Sequence, residues 1–283
     1  GGADALDEVD ALSIYYDFRQ LTPPGAQGDL MIRNLAQRLI RVDLLSQAAE
    51  LLEYQVDYRL QGASKAQVAA DLAVVHIANR SPASALEVLY RTRLSGLPPA
   101  LERQRRVLEA RALIDANRQE LALDLLSNLS GRDTELLRIE ALWRASRYQA
   151  SAEHIEALYM PDLERGNLSP VARTNVVRAA VGYVLANDQI GLSRLRSRYS
   201  SVMVTSPEWP MFSFVAETVE STGREFREIA RQIAAVESQA RAQRTLRLGG
   251  LQARRLGQDL GQRPLVVGML AADGGPRLGG EQR

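Results

Sequence analysis

Between Asp29 and Gly62 the chain places apolar residues at helical spacing on two successive stretches: Ile32, Leu35, Ala36 and Leu39, then Ala48, Leu52 and Val56. Recurrence at three and four residues is the mark of an amphipathic helix. The intervening Val42-Asp43-Leu44-Leu45-Ser46 leaves room only for a tight connection. The pattern predicts a helix–turn–helix hairpin whose two apolar stripes face each other.

That pattern returns four times. Ala69, Leu72, Ala73 and His76 lead through Asn79-Arg80-Ser81-Pro82 to Ala85, Leu86 and Leu89, and Gly96-Leu97-Pro98-Pro99 closes the unit. Val107, Ala110 and Leu113 lead through Asn117-Arg118-Gln119 to Ala122, Leu125 and Leu126. Leu136, Ile139 and Trp143 lead through Ser146-Arg147-Tyr148 to Ala152, Ile155 and Tyr159. The last and loosest copy has Val176, Ala179, Ala180 and Tyr183, a turn at Asn187-Asp188, then Leu192, Leu195 and Tyr199. Ala48, Ala85, Ala122, Ala152 and Leu192 open the second helices at intervals of 37, 37, 30 and 40 residues. Small residues are what lets two helices approach closely, and a lone hairpin cannot bury its apolar face, so such units must stack.

From Asp29 to Tyr199 the chain resembles the tetratricopeptide repeat family, in which a small residue lies in the first helix, an Ala opens the second and Pro often ends the unit. The signature aromatics of the first helix are mostly replaced here by aliphatics. The resemblance implies an all-α fold, a right-handed α-solenoid of stacked helix–turn–helix hairpins with a helical C-terminal cap. The expected organisation is an N-terminal helix over 1–25, a solenoid over 26–203, capping helices over 204–248 and a flexible tail over 249–283. The N-terminal helix is read either as a cap on the first repeat or as the last helix of a repeat cut away upstream. Phe226, Ile229, Ile233 and Val236 form a narrow stripe in the long polar helix expected from Arg224 to Leu248, while the Gly-rich stretch beyond Gly249 has little periodicity. The start, Gly1-Gly2-Ala3, has no initiator Met and no signal peptide, and is expected to be that of a processed protein, a fragment or part of something longer.

Composition removes several kinds of chemistry. There is no Cys, hence no disulfide frame, thiolate nucleophile or thiolate metal site, and two His leave little for a His-based metal centre. No G-x-S-x-G elbow, P-loop or H-E-x-x-H motif occurs. No run of 18 apolar residues exists to span a bilayer. The apolar Leu265-Val266-Val267-Gly268-Met269-Leu270 is too short for that role. Although all but one of the 35 basic residues are Arg, the net charge is only +1, which argues against nucleic-acid binding. Asp7, Glu8 and Asp10 make an acidic patch at the start, and Glu50 and Glu53 share one helix; both read as solvated faces. His76 and His154 read as structural or exposed.

What remains is a surface for protein partners. Among the arginines, Arg103, Arg105, Arg106 and Arg111 are interleaved with Glu102, Glu109 and Asp115, which predicts pairs within one helix. Arg194, Arg196 and Arg198 have no acid nearby in the sequence and are the better site for an acidic contact, since Arg offers a planar fork to carboxylates. On the first helices the expected contact positions are Arg33, Gln37, Arg38, Arg41, Asp71, His76 and Arg144. The expectation is a non-enzymatic scaffold without cofactor or metal, whose partners are proteins, copies of itself in a ring or larger assembly included. The resemblance extends this to a structural component of a large bacterial envelope assembly, such as the flagellar motor, in the periplasm or at the envelope, with the cytoplasm as the alternative location. The alternative function is a regulatory sensor that holds a peptide or small ligand in its concave face.

Overall fold

The computed structural model describes residues 7–18, 21–166 and 168–217. Among these all regular structure is helical. Helix α1 (Glu8–Asp17) precedes five hairpins: α2 (Ala26–Arg41) with α3 (Leu45–Tyr54), α4 (Gly62–Ala78) with α5 (Pro82–Arg91), α6 (Pro99–Asp115) with α7 (Gln119–Ser127), α8 (Arg132–Arg144) with α9 (Tyr148–Glu164), and α10 (Pro170–Ala186) with α11 (Gln189–Met203). Helix α12 (Trp209–Glu217) follows, and α3 runs on into one π-helical turn, Gln55–Arg59. Consecutive helices pack on one another throughout, an arrangement consistent with an α-solenoid.

Each hairpin turns on one residue in the left-handed region: Asp43, Arg80, Asn117, Ser146 and Asn187, with φ between 56° and 66°. All five lie in the turns that the sequence pattern marks. The amide of the next residue (Leu44, Ser81, Arg118, Arg147, Asp188) donates to the carbonyl five residues back (Leu39, His76, Leu113, Leu142, Tyr183) at 2.8–2.9 Å. The left-handed residue itself donates three residues back, to Ile40, Ile77, Ile114, Trp143 and Val184. This is the Schellman motif, which satisfies the last carbonyls of the first helix while reversing the chain.

These turns set a common register for the packing. Seven residues before the left-handed position stand Ala36, Ala73, Ala110, Ile139 and Ala180; five after it stand Ala48, Ala85, Ala122, Ser151 and Leu192. All ten are buried. In the fourth hairpin the register position is therefore Ser151 and not the expected Ala152. The Ser151 hydroxyl donates to the Ile139 carbonyl at 3.0 Å, so a polar side chain sits in the small-residue slot by bonding the facing helix. Counted by the left-handed residues, the intervals are 37, 37, 29 and 41.

Among the described residues three apolar clusters form the core: one runs from Tyr15 to Ala141, another from Ile139 to Val215, and a small one joins Ala66 and Ala70 to Leu97 and Leu101. The two large ones meet in α8. First helices also touch along the row: α6 packs on α4 and α5, and α8 on α6 and α7. Helix α12 makes the same pair of contacts with α10 and α11, so it stands where the first helix of a sixth hairpin would. Of the expected C-terminal cap only this helix lies in the described residues. The expected helix over Arg224–Leu248 and the tail over 249–283 lie outside them.

Candidate interaction surface

The predicted contact residues fall on two faces, that of the first helices and that of the second. On α2, Arg41 is exposed, while Arg33 and Arg38 are half-buried. Arg38 and Arg41 occupy the last turn, where the helix dipole favours a cation. Gln37 and Asp71 are each only 3% exposed. As expected contact positions they are corrected: side chains that burial removes from the surface cannot meet a partner. Gln67 holds the Asp71 carboxylate through its side-chain amide at 3.3 Å. The amide nitrogen of Gln37 is buried without an acceptor.

His76 is half-buried in α4, at the position four residues before the turn that Leu39, Leu113, Leu142 and Tyr183 fill in the other hairpins. Burial lowers its pKa below the ordinary value, with Glu53 and Glu87 pulling the other way. His154 is placed differently, 3.1 Å from a Glu135 oxygen on the neighbouring helix.

Arg144 belongs to a ladder of alternating charge that crosses three first helices. Arg111 donates to Asp115 on α6 (2.9 Å); Arg144 of α8 reaches Asp115 (3.2 Å), the Ile114 carbonyl (3.0 Å) and Glu140 (3.0 Å). Arg178 of α10 completes it on Glu140 at 3.1 Å, with its guanidinium 4.3 Å from the Trp143 ring centre. Burial pushes the Glu140 carboxyl up, but Arg178 and Arg144 outweigh it and hold the group below the usual carboxylate range. Arg178 is 4% exposed, so this rung locks hairpins together.

On the second helices, Arg194 and Arg198 do have an acid nearby, which corrects the expectation from sequence. Glu156 of α9, 5% exposed, accepts from Arg194 at 2.9 Å, from Arg198 at 3.2 Å and from the Tyr183 hydroxyl. Tyr183 is held strongly toward its protonated form by burial and by Glu156. Tyr199, wholly buried beside them with no hydrogen-bond partner for its hydroxyl, is pushed up to about 12 by burial first and by the Glu156 charge second. Gly191 makes room for this packing: a Cβ there would stand 2.5 Å from the Tyr183 ring. Arg196 is exposed on the same helix.

The repeat register contains the signal that local sequence lacked. Glu156 lies ten residues after its left-handed turn residue and Arg198 eleven after the next one. Glu53 and Arg91 occupy the same two positions in the first and second hairpins, and they pair at 3.0 Å, with Asp57 adding a second contact at 2.6 Å. The same carboxylate–arginine link thus joins second helices at both ends of the row.

The other arginine cluster is fully engaged. Arg106 pairs with Glu102 and Arg111 with Asp115 within the helix, as the spacing predicts, and Arg103 bridges to Asp133 at 2.7 Å. Arg105 is buried and meets only acceptors without charge: the carbonyls of Ala66 (2.6 Å), Leu89 (2.8 Å) and Thr92 (3.2 Å), and the Thr92 hydroxyl (3.0 Å). Burial lowers its pKa. One hairpin later Arg138, which also pairs with Glu135 on its own helix, reaches the Leu126 and Leu129 carbonyls at 2.6 and 3.3 Å, the register equivalents of Leu89 and Thr92. Both arginines close the end of a second helix from the hairpin that follows, where a cation suits the dipole.

Among the described residues no group of three or more acidic or His side chains is placed to hold a metal, and no helix is long and apolar enough to cross a membrane. A shallow, open depression at the fourth turn, lined by Ser146, Arg147, Tyr148, Gln149, Ala150, Glu153 and Ala186, does not enclose a ligand. Comparison with family models, with curated proteins and with solved structures finds no match in any of the three.

Proposed function

We propose that this chain is a non-enzymatic scaffold of the tetratricopeptide-like kind, whose hairpins wind into a right-handed α-solenoid with a helical cap and hold protein partners on their outward helix faces. The observation that carries the reading is the common register of five hairpins. Stacking in one register repeats the same two faces along the row, and a repeated face suits an extended protein surface better than a single small molecule. Arg41, exposed at the end of α2, is where an acidic partner meets it. The family resemblance takes the reading further, to a structural part of a large bacterial envelope assembly such as the flagellar motor, on its periplasmic side.

The test is recovery of the tagged full chain from its cell, comparing wild type with Arg41→Glu, which reverses charge at an exposed position. The reading expects unchanged melting and selective loss of a co-purifying protein. An identical set of proteins in both preparations, with a melting shift on adding one small ligand, would sink it in favour of a sensor.

A further inference from the structure

Helix α1 fits the repeat as a second helix. Its Ala11 stands 37 residues before Ala48, as Ala48 does before Ala85 and Ala85 before Ala122. In that register Tyr15 takes the place of Leu52 and Leu89. Like them it is buried in the first large apolar cluster, with Ala11 and Leu12 packed against it. The Tyr16 hydroxyl donates to Glu50 of α3 at 2.7 Å, so α1 also lies beside the next second helix.

The same register shows what α1 lacks. Ala11 is half-buried, where Ala48, Ala85 and Ala122 have no exposed surface. Ile14 is 45% exposed, where Leu51 and Val88 are 2% and 1%. Phe18, 57% exposed, holds the place of the buried Gln55 and Thr92. Helices α3 and α5 pack both on the first helix of their own hairpin and on the one that follows, whereas α1 packs on the one that follows, α2. Among the described residues, the flank that α2 covers on α3 stands open on α1.

The chain's own sequence holds a pattern that fits this flank. Phe226, Ile229, Ala230, Ile233 and Ala234 repeat the spacing of Ile32, Leu35, Ala36, Leu39 and Ile40 in α2, and of Val176, Ala179, Ala180, Tyr183 and Val184 in α10. Alanine takes the third place in all three. The segment fits poorly as the second helix of a hairpin begun by α12. Ala48 comes twelve residues after Ala36 and Ala85 twelve after Ala73, but twelve after Ala216 comes Glu228. A carboxylate in that close-packed slot is costly to bury.

We propose that segment 226–236 of a second copy of this chain docks on α1 as its missing first helix and completes a hairpin between copies. The inference rests on the scaffold reading and names one partner for it. Charge agrees with the pairing: α1 carries Glu8, Asp10 and Asp17 and no basic residue, while residues 224–248 hold six Arg against three Glu. Because each copy offers two different surfaces, the contact is heterologous. It closes into a ring if the rotation between copies permits and otherwise runs on as a filament.

The test is sedimentation velocity of the full chain from micromolar to hundred-micromolar concentration. The wild type grows beyond its 31.2 kDa as concentration rises. An α1 variant (Ile14→Glu) and a segment variant (Ile229→Glu with Ile233→Glu) each stay monomeric. An equimolar mixture of the two forms a dimer and stops there, because it retains one intact α1 and one intact segment. Should either variant fail to fold, a synthetic peptide of residues 223–240 added to the wild type returns it to monomer, and the same peptide with Ile229→Glu does not. A wild type that remains monomeric, variants that continue to associate, a mixture that stays monomeric or a peptide without effect would overturn the proposal. A wild type that is monomeric alone but sits in a larger particle with other proteins in its cell would overturn self-docking while leaving the scaffold reading intact.

Discussion

Ala122 has no exposed surface and lies in the slot where the second helix of the third hairpin meets its partner. Ala122→Arg forces bulk and an unpaired charge into that slot, and is expected to destabilise by about 3 kcal/mol or more. Chemical denaturation reads the loss directly, and a variant as stable as wild type would show the register to be wrong. His76 makes a subtler prediction. Its folded-state pKa is depressed, so the native protein binds fewer protons than the unfolded chain in the window just below the ordinary value of 6.5. The stability it permits is present above 6.5 and falls as pH drops below. His76→Leu, which installs the residue found at this position in three other hairpins, is expected to gain about 1 kcal/mol and to flatten stability between neutral and mildly acidic pH. Denaturation midpoints of both proteins across that range check it.

Hairpin turns are where sequence and structure agree most closely. The turn segments were legible because each interrupts two apolar stripes, and the left-handed residue of every one falls inside them. The small-residue slots were legible wherever the residue is Ala. Ser151 was not, because a serine announces itself as surface unless its hydrogen bond to Ile139 is known. The Glu156 cluster was hidden for another reason: its partners stand 38 and 42 residues away, beyond any local charge pattern. Only superposing the repeats on their turn residues brings Glu53 and Glu156 into the same position. Three of the five left-handed residues are Asp or Asn, which tolerate that region; Arg80 is not of that kind, and it is exposed with φ of 56°. Relieving a side chain there stabilises by about 1 kcal/mol. Arg80→Gly is accordingly expected to raise the melting temperature, less the added entropy of the unfolded glycine.

For the molecule as a whole, apolar clusters that run from hairpin to hairpin are supplemented by ion pairs between neighbouring hairpins. Glu140 on the first-helix face, Asp133 bonded by Arg103, and Glu208 bonded by Arg173 all keep carboxyl pKa values below their ordinary range. A depressed carboxyl contributes stability that is present above its unfolded pKa and lost as pH falls through the folded one. The row of hairpins is therefore expected to loosen below about pH 4, with the junctions of α6, α8 and α10 exchanging amide hydrogens before the hairpin interiors. Hydrogen exchange that rises first at Ala36, Ala73 or Ala110 would contradict this.

The measurement that bears most directly on the scaffold account is the mass of the particle in which the full-length protein resides, isolated gently from its own cell. The account predicts recovery in a large complex that contains several copies of the chain together with other structural proteins. Recovery as a monomer bound to one small ligand would contradict it.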